Sequence, residues 1–190
     1  MNILILSSLP TYWSGGLGKD MVDSLRIAGH EVDFITKFGY KDQEDFVYNI
    51  YKQPLKEKLR KFSFLVKCKR YFCKITKRKN SSSYISSDGI RIVNINEQKP
   101  PVPTSFILKK ISKHYDCVIT LFWEYMMSAD TLLGVYRLLG CPVIIYSVDM
   151  FPMTGGCYYF HNCRNFEHGC GRCPALNSDN PKDETAANFS

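Results

Sequence analysis

A chain of 190 residues is long enough for one domain with a hydrophobic core and short for two. Its 45% apolar and 14% aromatic content exclude disorder for the body of the chain. The net charge of +7 is not general: residues 52–79 hold twelve of the 25 Lys and Arg with Glu57 as the only acid, leaving −4 for the remainder. Arguments about anionic partners therefore concern that segment.

The amino-terminal MNILILSSLP has no basic n-region, and its apolar run is too short for a signal peptide. No stretch approaches the roughly 20 apolar residues that span a bilayer. The expectation is a cytoplasmic protein, where disulfides are disfavoured.

In chain order, Ile3 to Leu6 is a continuous apolar run that suits a central strand covered on both faces. Ser7, Ser8, Pro10 and Ser14 lead into Gly15-Gly16-Leu17-Gly18. A helix follows, with Leu17, Met21, Leu25 and Ala28 on one stripe and Gly29 beyond its last turn. Val32 to Thr36 predicts a second strand, which makes a strand, Gly-loop, helix, strand unit. Residues 37–53 give no clear pattern. From Pro54 to Lys79, Leu55, Leu59, Phe62, Val66 and Cys73 keep helical spacing among basic residues, predicting an amphipathic basic helix.

Asn80 to Ser83 interrupts the pattern, and Ser87-Asp88-Gly89 reads as a turn before a third strand, Ile90 to Ile95, nearer an edge. Pro100, Pro101 and Pro103 make a stiff connection to a short helix lined by Phe106, Ile107, Ile111 and His114. Cys117 to Phe122 predicts a fourth strand. Ser128 with Asp130 and Thr131 begins a helix bearing Leu132, Leu133, Tyr136 and Leu139, closed by Gly140. Pro142 to Tyr146 predicts a fifth, buried strand. The expected fold is α/β, a Rossmann-like open parallel sheet of about five strands over residues 1–176, with a Cys-rich loop after the last strand and a polar tail at 177–190.

Two places can carry chemistry. In open α/β sheets ligands bind outside the carboxyl ends of the strands. Gly15, Gly16 and Lys19 stand there after the first strand, where glycine backbone and a helix N-terminus can cradle a phosphate. The spacing is neither the dinucleotide fingerprint nor a P-loop, and a simple tight turn is the competing reading. Glu124 and Asp149 each follow a strand, as acceptor base, sugar-hydroxyl partner or turn former. Thr154, Gly155 and Gly156 follow Asp149.

The second place is Cys157, Cys163, Cys170 and Cys173, spaced C-x5-C-x6-C-x2-C. Two thiolates separated by two residues can reach one tetrahedral ion, so a structural zinc is expected, with His161 or His168 able to replace a thiolate. A disulfide-pinned or a reduced loop are the alternatives. Cys68, Cys73, Cys117 and Cys141 read as ordinary core or surface residues.

Strand one followed by Ser14-Gly15-Gly16-Leu17-Gly18 is one part of a resemblance. The specific part is Asp149-Met150 and Pro152 to Cys157, then Cys163, Gly169-Cys170-Gly171, Cys173-Pro174 and Leu176. Together they resemble bacterial glycosyltransferases of family 4, in particular polysaccharide-assembly members with a cysteine-rich loop. The resemblance implies the amino-terminal, acceptor-side domain of a GT-B fold, whose carboxyl-terminal domain lies outside this sequence. It further implies a nucleotide-sugar donor with its phosphates near Gly15 and Gly16, and a saccharide or lipid-linked acceptor near Asp149. Val148 and Tyr158 stand where relatives often carry histidines, which leaves Asp149 as the acceptor-side polar group.

The resemblance implies an enzyme that is inactive as this chain alone. Residues 54–79 add an expected contact with the inner face of a membrane. The competing readings are a non-catalytic acceptor- or partner-binding domain and a zinc-dependent nucleic-acid binder. The last ranks lowest, because the aromatic residues form no stacking platform along a strand edge.

Overall fold

A computed structural model describes residues 1–9, 16–38, 45–51, 83–85, 91–93, 101–122, 126–154, 157–159 and 163–168. The predicted basic helix at 54–79 and the tail at 177–190 lie outside the described residues.

Five parallel strands form the main sheet: β1 (Asn2–Ser7), β2 (Glu31–Phe38), β3 (Val47–Tyr51), β6 (Cys117–Thr120) and β7 (Val143–Ile145), in the order β3-β2-β1-β6-β7. The all-apolar run at Ile3 to Leu6 lies at the centre, with Leu4, Ile5 and Leu6 fully buried. Such a strand can only sit where both faces are covered.

Helix α1 (Leu17–Ile27) supplies one cover. Its Val22 packs with Ile3, Ile5, Val32 and Phe34. Helices α2 (Thr104–Leu108) and α3 (Ala129–Leu139) supply the other, where Ile107, Leu132 and Val135 meet Leu4, Leu6, Ile35 and Val118. The handedness of the crossovers explains the division. From β1 the chain moves to β2 in one direction, and from β6 to β7 in the other, so right-handed connections place their helices on opposite faces.

The helix ends follow local chemistry. At α3, Ser128 Oγ accepts the Thr131 N–H at 3.3 Å while Thr131 Oγ1 accepts the Ser128 N–H at 3.3 Å, and Gly140 closes the helix at φ 65°. Gly29 follows α1 at φ 83°.

Several expectations are corrected. The strand expected at Ile90 to Ile95 does not join the main sheet in its described part. Arg91–Val93 (β5) instead pairs antiparallel with Ser83–Ile85 (β4). Alternation suits a strand with one wet face, whereas parallel strands inside an α/β sheet read as unbroken apolar runs. The missing fifth member is β3, from the stretch without clear pattern, where Val47, Tyr48, Ile50 and Tyr51 give β-branched and aromatic character.

The last strand is also not buried. It spans Val143–Ile145 at the sheet edge, with Ile144 50% and Ile145 45% exposed. On α3 the buried apolar side chains are Leu132 and Val135, while Leu133 and Tyr136 face solvent. Ala28 lies beyond α1 and is exposed, and the helix at 104–108 ends well before His114, which is also exposed.

A polar tie joins β2 to the segment preceding β6. Tyr115, 1% exposed, donates its hydroxyl to Asp33 Oδ2 at 2.6 Å, and Lys113 Nζ lies 3.0 Å from the same oxygen. Burial, then the Asp33 carboxylate, raise the Tyr115 phenol well above its ordinary value. A raised folded-state pKa gives stability that is full below the unfolded value of about 10 and is lost as pH rises past it. The hydrogen bond to Asp33 raises Lys113 in the same sense. Tyr115→Phe is expected to cost about 1.5–3 kcal/mol near neutrality, as for a hydrogen bond to a charged group. Urea titrations above pH 10 should show the gap between wild type and variant narrowing, and a gap independent of pH would contradict this account.

Candidate functional site

Parallel strands with helices on both faces direct their carboxyl ends to one edge, and among the described residues Gly16 follows β1 and Asp149 follows β7 beyond that edge. After β1, the chain reaches α1 through Gly16, the residue before its first turn, at φ 92°. A side chain is strained at that angle, and a β-carbon there would also approach Asp20 Oδ2 to 3.2 Å. The glycine requirement is therefore real at Gly16, while Gly15 lies outside the described residues.

The neighbouring charges are already engaged within α1. Lys19 pairs with Asp23 one turn along, and Asp20 in the first turn complements the positive end of the helix. A phosphate here would bind through backbone N–H groups, with the Lys19 ammonium shared with Asp23.

Two hydroxyls at the same edge escaped the sequence reading. Ser8 Oγ, just past β1, and Thr36 Oγ1, near the end of β2, are buried and have no hydrogen-bond partner among the described residues. Buried polar groups are normally paired, so unpaired hydroxyls at strand ends mark places where a ligand or water completes the bonding. The available signal was polarity itself: Ser8 follows the apolar run of β1, and Thr36 follows Phe34 and Ile35 in β2.

The better-defined feature follows β7. The chain passes Ser147 and Val148 to Asp149, then forms the short helix α4 (Phe151–Thr154). Asp149 Oδ1 accepts the Phe151 N–H at 2.9 Å, which starts the turn. Met150 N–H donates to the Tyr158 carbonyl at 2.9 Å, so the chain returns alongside its own beginning. Thr154, 3% exposed, closes the far end: its hydroxyl donates to the Cys157 carbonyl at 2.8 Å and accepts the Cys157 N–H at 2.9 Å. Phe151 anchors the turn in the main core, 6.1 Å from the Tyr158 ring.

Asp149 is thus half-buried on a loop that bonds to itself at both ends. Burial pushes its carboxyl above the ordinary carboxylate value, and the Phe151 N–H offsets this in part. Its Oδ2 has no partner among the described residues. No family model, no curated protein and no solved structure matches the chain.

The remaining site expectations divide by position. Thr154 is present as a structural tie of the Asp149 loop, whereas Glu124, Gly155 and Gly156 lie outside the described residues. Of the four clustered cysteines, Cys157 and Cys163 are partly exposed and follow Asp149, and Cys170 and Cys173 lie outside the described residues. No group of three metal-binding side chains occurs among the described residues. His161 is outside the described residues, and His168 ends an exposed 3₁₀ turn at Asn165–His168. Cys117 and Cys141 are buried, with burial raising both thiols, as expected of core residues rather than nucleophiles.

Proposed function

We propose that this chain is the acceptor-side half of a retaining glycosyltransferase. It moves a sugar from a nucleotide-sugar donor to a saccharide or lipid-linked acceptor during surface polysaccharide synthesis, at the inner face of the cell membrane. The observation that carries the reading is Asp149, a half-buried carboxylate fixed through one oxygen, the other without a partner among the described residues, beyond the carboxyl edge of a parallel sheet. Of the residues that resemble family 4 glycosyltransferases, Asp149, Met150, Pro152, Met153, Thr154 and Cys157 lie in this loop.

In such a transfer the acceptor hydroxyl forms the new bond to the anomeric carbon while the bond to the nucleotide diphosphate breaks. Asp149 Oδ2 accepts the hydrogen of the attacking hydroxyl and orients it. A pKa raised by burial makes the carboxylate a better proton acceptor than an exposed one. In this reading the departing phosphates lie near Gly15 and Gly16 and are met by the N–H groups at the α1 N-terminus, where charge develops. A second domain supplies the rest of the nucleotide-sugar site.

A zinc ion would be held by Cys157, Cys163, Cys170 and Cys173 and would brace the loop rather than take part in transfer. Cys157 is tied directly to Thr154, so a brace there acts on the Asp149 turn.

The test is a transfer assay on this chain joined to its carboxyl-terminal domain, with a panel of nucleotide-sugars and lipid-linked saccharides. Product requiring both halves is expected. Acceptor binding without transfer under any pairing would replace this reading with that of a non-catalytic binding domain.

A further inference from the structure

Resting on the acceptor-side reading above, we infer that Ser8 is a saccharide-binding residue, whose hydroxyl holds a second hydroxyl of the acceptor that Asp149 orients. Ser8 follows β1, and its N–H donates to the Phe122 carbonyl at 2.6 Å, which ties the segment after β1 to the segment after β6. That seam is the turning point of the sheet. From β1 the chain moves one way through α1 to β2, and from β6 it moves the other way through α3 to β7, so the two connections part on opposite faces. Outside the carboxyl ends of the strands, such a point is where open α/β sheets bind their ligands.

The Ser8 side chain falls on the face that carries the Asp149 turn. Leu4 and Leu6 pack in the cluster that holds Phe151, the anchor of that turn, and strand alternation puts Ser8 on the same side as these leucines. The ends of β1 and β7 are two strand spacings apart, roughly 10 Å. A ligand with several hydroxyls can bridge that gap.

Ser8 is 9% exposed, and its Oγ has no hydrogen-bond partner among the described residues. A hydroxyl taken out of water and left unpaired costs stability, and an alanine in its place would not. Ser8 therefore suits a bond made when a ligand is present. Thr36 Oγ1 is also unpaired, but it lies on β2, on the α1 face with Val32 and Phe34, away from the seam. The class of ligand follows from the two groups together. A serine hydroxyl donates and accepts, while the Asp149 carboxylate accepts and repels anions, which suits a neutral molecule whose hydroxyls do both.

The experiment titrates the methyl glycosides of glucose, galactose and N-acetylglucosamine into the full 190-residue chain, read by amide NMR shifts, and measures urea midpoints without ligand. At least one glycoside should bind wild type, and Ser8→Ala should bind it roughly three- to tenfold more weakly, the effect of one lost hydrogen bond. The Ser8→Ala midpoint should equal or exceed that of wild type, because no bond within the protein is lost. Ser24→Ala, which removes an exposed hydroxyl on α1, should change neither. A lower midpoint for Ser8→Ala would give the hydroxyl a structural partner and overturn the inference. Equal glycoside binding by Ser8→Ala and wild type, or none by wild type, would overturn it as well. Neither donor nor second domain is present, so the result is separable from the transfer assay. Ser8-dependent binding without transfer would keep the saccharide site and remove the enzyme, and transfer without Ser8-dependent binding would do the reverse.

Discussion

Replacing Asp149 with asparagine in the two-domain protein is expected to lower the rate of sugar transfer by roughly a hundred- to ten-thousandfold, the range of a lost proton acceptor. Asparagine preserves the shape of the turn, since its side-chain oxygen can still take the Phe151 N–H that Asp149 Oδ1 takes at 2.9 Å. What is lost is the charge and basicity at the open oxygen. The variant should therefore bind acceptor with little change while its maximal rate falls, which separates a chemical from a structural role.

The pH dependence gives a second readout. Burial holds the Asp149 carboxyl above its ordinary value, so the active, ionised form should disappear on acidification earlier than for an exposed aspartate. Wild-type activity should fall on the acid side through that raised pKa, and the asparagine variant should lack this limb. An unchanged acid limb in the variant would assign it to another group and remove Asp149 from the chemistry.

Phe151→Ala is expected to cause the largest loss of stability, about 3–5 kcal/mol, because it empties a ring-sized space in the main core. Phe151 is 1% exposed and packs in the cluster that contains Leu6, Val118 and Met127. Domains of this kind have only about 5–15 kcal/mol in all, so the variant would approach unfolding at moderate temperature. Phe151→Leu keeps most of the volume and should cost less than about 1.5 kcal/mol. Urea midpoints measured at constant m-value distinguish the two. A loss below about 1 kcal/mol for alanine would mean that the loop is not anchored through this ring. Because the ring anchors the turn whose backbone N–H holds Asp149, the alanine variant, which keeps that N–H but loses the anchor, is expected to lose transfer activity at temperatures where it remains folded.

The two predictions converge on one device. An apolar side chain fixes the turn from below, and the backbone N–H of the same residue fixes the carboxylate above it. Tyr158, beside the Phe151 ring and bonded through its carbonyl to Met150, ties the returning strand to the same point.

Much of this fold was legible from residue order alone. The unbroken run Ile3 to Leu6 required cover on both faces, and it lies at the centre of the sheet. Ser128 and Gly140 marked the ends of a helix by local capping chemistry, and that helix runs between them. These signals are local, since capping and continuous burial depend on adjacent residues. The turn at Asp149 was also marked, through its placement after a strand and its run of Thr, Gly and Cys.

Tertiary structure decided what local pattern could not. Whether Ile144 and Ile145 are buried depends on whether another strand lies beside β7, which no property of the strand itself specifies. The place of Val47–Tyr51 in the main sheet, with Arg91–Val93 outside it, likewise reflects pairing with other segments. Ser8 and Thr36 look like ordinary polar residues in sequence. Only the packing of the sheet leaves their hydroxyls buried and unpartnered among the described residues, because burial removes the water that would have bonded to them.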